Sequence, residues 1–108
     1  MATNLRNRLI IQFEVSEGDS YDDLIAVEHT LIQAFSQNNY GAVDGHDFGQ
    51  GRFNIFVYPR SSWGPVIERV QAFLKLKGWL SRAVIAKELK SGARQVIWPQ
   101  EHSAPFDL

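Results

Sequence analysis

The sequence predicts an α+β fold, a ferredoxin-like βαββαβ sandwich with an extra C-terminal strand, in which two helices cover one face of a mainly antiparallel sheet. Three observations lead to this prediction. Apolar and polar residues alternate in several short segments, two longer segments carry apolar residues at helical spacing, and turn-forming residues separate them. In order, the expected elements are strand, helix, strand, strand, helix, strand and strand.

The first strand and the first helix occupy the N-terminal third of the chain. Apolar residues at every second position from Leu9 to Val15 indicate a strand with one strongly apolar face. Ser20 followed by Asp23 is a variant of the capping box, so we expect a helix to begin there and to end near Gln37. The expected apolar face of this helix consists of Leu24, Ile25, Leu31, Ile32 and Phe35.

The clearest hairpin of the sequence spans residues 43–59. Alternation from Phe53 to Tyr58 indicates its second strand. Gly49 and Gly51 precede that strand and are free to adopt positive φ, which a short hairpin loop requires. The hairpin also holds most of the residues that are suited to chemistry.

The second half of the chain again has a helix and a hairpin. Ser62 is suited to cap a helix N-terminus, Pro65 suits a first helical turn, and Gly78 marks the helix end. Trp79 should then fold back onto the last turn. Two further strands are expected at residues 83–89 and at residues 94 to 98.

The composition is that of one small globular domain. The chain has 108 residues, 44% of them hydrophobic, a formal net charge of -1 and no cysteine. We expect a single domain over residues 1–108, with a frayed N-terminus at 1–7 and a tail at 100–108. Missing cysteine excludes disulfides and thiolate chemistry. The balanced charge and the absence of a long apolar run favour a cytoplasmic protein that binds neither nucleic acid nor membrane.

A resemblance rests on the hairpin at residues 43–59, on the helix end at Gly78 and Trp79, and on the closing residues 97–99, Ile-Trp-Pro. In these segments the chain resembles small uncharacterised bacterial α+β proteins of ferredoxin-like type, some of which are carried on mobile gene cassettes. The resemblance implies a bacterial α+β domain. It implies no activity and no site residues.

Glu28 is the most informative single residue, because it lies near the middle of the expected apolar face, between Leu24 and Leu31. A carboxylate there must be paired, protonated or lifted to an edge. It is a structural, hydrogen-bonded glutamate, a functional carboxylate, or an exposed residue if the helical phase differs from the expected one. The donors expected to lie nearest are His46, Tyr58 and Arg52.

Asp44 and His46 lie two positions apart on an expected strand, so their side chains should share a face. With Glu28 they form the candidate catalytic set, in which a carboxylate orients the imidazole as a general base. A metal site would need a third ligand, and His29 and His102 are expected on a polar helix face and in the tail. We therefore expect no metal and no other cofactor.

The helix-free face of the sheet is the expected binding surface. Phe56, Tyr58 and Ile10 should project from it, and Trp63 could rim a pocket before the second helix. Aromatic side chains on such a face stack on RNA bases in some proteins, but the required basic surround is missing here. Coverage by a second copy of the chain or by another partner is therefore favoured.

These observations favour a non-enzymatic binding or interaction domain, a homodimer or a partner-binding protein that acts through the open sheet face. The alternative is a small enzyme or small-molecule binder with its site between the hairpin and the first helix. The two differ in shape. A catalytic site should be a pocket with convergent polar groups, whereas an interaction surface should be flat and apolar.

Overall fold

The structure is a computed structural model that describes residues 7–15, 18, 21–36, 40–60, 62–100 and 106. These residues form a five-stranded sheet with two helices, which confirms the predicted α+β class. A short 3₁₀ turn precedes the fourth strand. The elements are β1 (Arg8–Glu14), α1 (Tyr21–Ser36), β2 (Gly41–Gly49), β3 (Arg52–Pro59), α2 (Trp63–Lys77), the 3₁₀ turn (Leu80–Arg82), β4 (Ala83–Glu88) and β5 (Arg94–Trp98).

The strands lie in the order β2-β3-β1-β4-β5, and every neighbouring pair is antiparallel. β1 is the central strand, with Ile11 opposite Ile55 of β3 on one side and Ile85 of β4 on the other. β2 and β5 are the two sheet edges. The added edge strand β5 makes this order different from that of a four-stranded ferredoxin-like sheet.

The core lies between the two helices and the sheet face that carries Leu9, Ile11 and Phe13. These three side chains are fully buried, and each such burial stabilises the fold by about 1.5–3 kcal/mol. Both helices pack on this same face, so no helix of the described residues covers the opposite face. The helical residues of the core are Leu24, Val27, Leu31 and Phe35 from α1, and Val66, Val70 and Leu74 from α2.

The buried stripe of α1 differs in one respect from the predicted apolar face. Ile32 is 43% exposed, and Val27 is buried instead. Spacings of three and four residues place Val27 and Glu28 over the sheet between Leu24 and Leu31. The predicted burial of Glu28 is therefore confirmed.

The end of α2 follows its sequence signals. Gly78 adopts the left-handed conformation with φ of 79°, and the backbone N–H of Trp79 donates to the Leu74 carbonyl at 2.8 Å. The Trp79 ring then packs edge-on against Phe13, with 5.3 Å between ring centroids. At the other end Ser62 occupies the predicted N-cap position, but its hydroxyl makes no capping hydrogen bond.

The loop of the first hairpin uses different residues from those predicted. Gln50 and Gly51 form the two-residue loop and have φ of 53° and 76°, whereas Gly49 pairs with Arg52 inside the ladder. Positive φ at both loop residues matches the right-handed twist of the flanking strands. Gln50, rather than Gly49, therefore takes the first left-handed position of the loop.

Some predictions fall outside the described residues: the cap at Ser20, the position of His102 and most of residues 1–7 and 100–108. Phe106 is described and is half-buried. Among the described residues, no helix is both long and apolar enough to cross a membrane.

Candidate functional site

Helix α1 and strand β2 together hold a polar cluster at the edge of the core. Tyr21 begins α1 and Glu28 follows about two helical turns later, so both side chains project from the same side of the helix. His46 of β2 lies opposite Ile55, a residue of the core face, and meets both side chains there. Glu28 is only 5% exposed, whereas Tyr21 is 48% exposed.

Both ring nitrogens of His46 have a hydrogen-bond partner on α1. Nδ1 lies 2.8 Å from Oε1 of Glu28, and Nε2 lies 3.0 Å from the hydroxyl oxygen of Tyr21. An ionised carboxylate can only accept, so Nδ1 is the ring nitrogen that donates to Glu28, and in the tautomer with its hydrogen on Nδ1 the Nε2 atom accepts from the Tyr21 hydroxyl. A continuous hydrogen-bonded chain thus runs from a buried carboxylate through an imidazole to a half-exposed phenol.

Aromatic side chains pack against this series of hydrogen-bonded residues. The His46 ring stacks on Phe53, with centroids 4.9 Å apart and an interplanar angle of 22°. Tyr21 contacts Phe48 edge-to-face at 5.7 Å, and Phe48 is 48% exposed. Tyr21, His46 and Phe48 form a surface that we call the aromatic patch, with Phe53 buried beneath it.

A β-bulge separates Asp44 from His46. Val43 pairs with Val57 and Gly45 pairs with Phe56, which leaves Asp44 as the inserted residue. The expectation that Asp44 and His46 share a strand face therefore fails, and Glu28 is the carboxylate that binds the imidazole.

Asp44 instead lines a cavity of about 450 Å³ at the end of the hairpin, together with Tyr58 and Arg60. Tyr58 thus lies beside Asp44 and away from Glu28. The candidate set Glu28, His46 and Asp44 is consequently divided between two places, and only Glu28 and His46 are brought together.

The sheet face opposite the helices is less accessible than predicted. Ile10 is fully buried and Phe56 is 7% exposed, with the guanidinium of Arg8 4.1 Å from the Phe56 ring centroid. The fourth predicted binding residue, Trp63, lies elsewhere, at the start of α2. It is half-buried, and Lys87 Nζ lies 5.4 Å from the centroid of its ring. Ile10 and Phe56 belong to the interior of the monomer and offer almost no surface to a partner.

A polar row crosses the same face next to these apolar residues. Gln12 Nε2 donates to Asn54 Oδ1 at 2.9 Å, and Asn54 Nδ2 donates to Asp47 Oδ1 at 2.9 Å. Asn54 is 1% exposed, so these hydrogen bonds satisfy amide groups that would otherwise be buried without partners. This part of the face is therefore polar.

Glu88 anchors an ionic cluster on the helix-free face. Its carboxylate accepts from Nε of Arg8 and, at 2.7 Å, from Nε of Arg94. Burial raises the pKa of the Glu88 carboxyl, but the hydrogen bonds and positive charges of Arg94 and Arg8 outweigh it, so the pKa lies below its usual value.

Two residues of the aromatic patch were not among the predicted site residues. Tyr21 stands seven positions before Glu28, and Phe48 stands two after His46, so helical and strand periodicity would have placed both beside the predicted residues. Within the described ranges, no three side chains of His, Asp or Glu come close enough to hold a metal ion.

Comparison with protein families, with curated proteins and with solved structures finds no match to this chain.

The first prediction concerns the buried hydrogen bond of Glu28. Replacing Glu28 by Gln removes the charge that His46 Nδ1–H binds, so the free energy of unfolding should fall by about 1–3 kcal/mol. Chemical denaturation measures it. The control is Glu68→Gln on the exposed surface of α2, expected to stay within about 0.5 kcal/mol of wild type. Equal stabilities of all three proteins would contradict a structural role for the Glu28–His46 pair.

The second prediction concerns acid unfolding. The pKa of the Glu88 carboxyl is lower in the folded chain than in the unfolded chain. At acidic pH the folded chain therefore binds fewer protons than the unfolded chain does. The stabilisation by Glu88 is present above the ordinary carboxyl pKa and is lost as pH falls through the folded pKa. Wild type should therefore lose more stability than Glu88→Gln between about pH 5 and about pH 2. The matched variant Glu68→Gln should lose stability with falling pH as wild type does. If the stability of Glu88→Gln also falls with pH as that of wild type does, the lowered pKa of Glu88 is refuted.

Proposed function

We propose that the protein is a non-enzymatic interaction domain that self-associates, and that its contact surface is the aromatic patch of Tyr21, His46 and Phe48. The observation that carries the proposal is the half-exposure of two large aromatic side chains beside the hydrogen-bonded pair of Glu28 and His46: Tyr21 and Phe48 are each 48% exposed. Aromatic side chains supply much of the binding energy of protein interfaces.

The position of the patch at a sheet edge supports an interaction surface. Three cavities among the described residues lie at the hairpin end, between α1 and α2, and beside Trp79. None of these three is lined by Tyr21, His46 or Phe48. His46 and Phe48 of the patch lie on β2, an edge of the described sheet, so a partner can approach them without steric hindrance from another described strand. A catalytic site would instead be concave.

The patch is also held in place before any partner arrives. Tyr21 is fixed by its hydrogen bond to His46 and by edge-to-face contacts with Phe48 and Phe53. His46 is in turn fixed by Glu28. Side chains that are already ordered lose little conformational entropy on binding, which favours association.

A second copy of the chain suits this surface. The formal net charge is -1, so two copies repel each other only weakly. In a two-fold dimer each patch would meet the same patch on the other copy, and the pairing of Tyr, His and Phe side chains is self-complementary. The sheet face of Ile10 and Phe56 lacks the accessible surface for this role.

We further propose that the domain is ferredoxin-like and cytoplasmic. A ferredoxin-like assignment is supported by the βαββαβ order of the first six main elements and by both helices packing on one sheet face, with β5 as an addition. A cytoplasmic location is supported by the lack of cysteine, which suits a reducing compartment.

The third prediction tests self-association. Wild type should sediment as a dimer, and Phe48→Ala should weaken the dimer by at least about tenfold because it removes an exposed aromatic contact. Analytical ultracentrifugation over a concentration series measures this, with circular dichroism to establish that each variant is folded. The matched control is Leu76→Ala on α2, because Leu76 is 80% exposed and lines the cavity between α1 and α2, which contains no residue of the patch. A wild-type monomer at the highest soluble concentration would refute the proposal.

A second candidate function is a small-molecule binder or small enzyme at the same place. The observation that favours it is the continuous chain from Glu28 through His46 to the Tyr21 hydroxyl. Here the imidazole would accept the phenolic proton when a ligand engages the Tyr21 oxygen, and the carboxylate would stabilise the resulting imidazolium.

The fourth prediction separates the two functions. If the second candidate is right, native mass spectrometry of the purified protein should show a bound small molecule that is lost in Tyr21→Phe, because this variant keeps the ring and removes the hydroxyl. Self-association should survive in Tyr21→Phe, since the ring contact with Phe48 remains. A spectrum that contains only the unliganded dimer would favour the interaction function.

A further inference from the structure

A second polar cluster, independent of the aromatic patch, lies on the helix-free face of the sheet. Arg8 of β1 and Arg94 of β5 flank Glu88 of β4, and each is a direct cross-strand neighbour of Glu88. The two guanidiniums bind different oxygens of the one carboxylate. Two positive charges thus surround one negative charge, which leaves a local excess of +1.

The hydrogen-bonding geometry leaves donors available. Both arginines use Nε to reach Glu88, and no further acceptor among the described residues is bonded to either guanidinium. Each Nη group can therefore donate to something outside the chain. The side chains of Arg8 and Arg94 are 24% and 34% exposed, so solvent and small solutes reach them.

The cluster is ordered by its neighbours. Arg8 lies over the Phe56 ring at 4.1 Å, which fixes its guanidinium plane. Glu88 is 9% exposed, and its carboxylate accepts a hydrogen bond from each arginine. An arginine whose Nε is already hydrogen-bonded presents its Nη donors in a fixed planar orientation. Such a guanidinium can donate two parallel hydrogen bonds to two oxygens of one phosphate.

We propose that Arg8 and Arg94 form an anion-binding site for a phosphate group, with Glu88 as the residue that positions them. The phosphate oxygens would accept from the free Nη groups of the two arginines, and the excess positive charge would attract the anion. The Phe56 ring beneath Arg8 supplies an apolar border on one side. This site lies on the sheet face opposite the core, whereas the aromatic patch lies on the helical side, so neither proposal depends on the other.

The fifth prediction tests this site with inorganic phosphate. In wild type, titration should shift the Nε–H NMR signals of Arg8 and Arg94 to saturation, and sodium chloride at matched ionic strength should not. Arg94→Gln should weaken phosphate binding by at least about tenfold, because one of the two forks is removed. Arg94 lies on the exposed edge strand, so this variant should fold.

Two further variants keep the result interpretable. Arg8→Lys preserves the charge but not the fork, and we expect it to weaken binding as well. Arg69→Gln removes one exposed arginine from α2 and should bind phosphate as wild type does. Equal phosphate binding by wild type and Arg94→Gln, or equal shifts with chloride, would overturn the site and show only general ionic screening.

Discussion

A carboxylate buried between a helix and a sheet must find a donor, and the arrangement around the aromatic patch follows from this constraint. Glu28 is 5% exposed, and His46 Nδ1 meets it at 2.8 Å. This contact joins α1 to the edge strand β2. It also fixes the imidazole ring, whose second nitrogen then orients Tyr21. The exposed part of the patch is thus positioned by a buried interaction.

The bulge at Asp44 makes this contact possible. Without an inserted residue, strict alternation would place Val43 and His46 on opposite faces of β2. With it, Val43 lies opposite Val57 and His46 lies opposite Ile55, both on the side of the helices. The bulge also turns Asp44 away toward Tyr58 and Arg60, and it disrupts an edge strand that could otherwise pair with another chain.

The two faces of the sheet have different chemistry because only one is covered by helices. The helical face is filled by aliphatic and aromatic side chains, and its polar contacts are confined to the edge at β2. The other face alternates apolar residues with hydrogen-bonded rows, from Asn54 and its amide partners to the ion pairs of Glu88. Two surfaces of distinct chemistry, one aromatic and one cationic, therefore lie on opposite sides of the same 108-residue chain.

The sequence by itself determined the features that depend on neighbouring residues: the strand at residues 94–98, the end of α2 at Gly78 and the burial of Glu28. Periodicity and capping act within a few residues, so they can be read locally. The sequence left His46, Tyr58 and Arg52 open as donors to Glu28, and only the tertiary structure decided that His46 is the one that meets it. Only the tertiary structure decided, too, that Phe56 is buried, because both outcomes depend on strand register. Cross-strand packing between segments distant in sequence sets that register, and no local pattern encodes it.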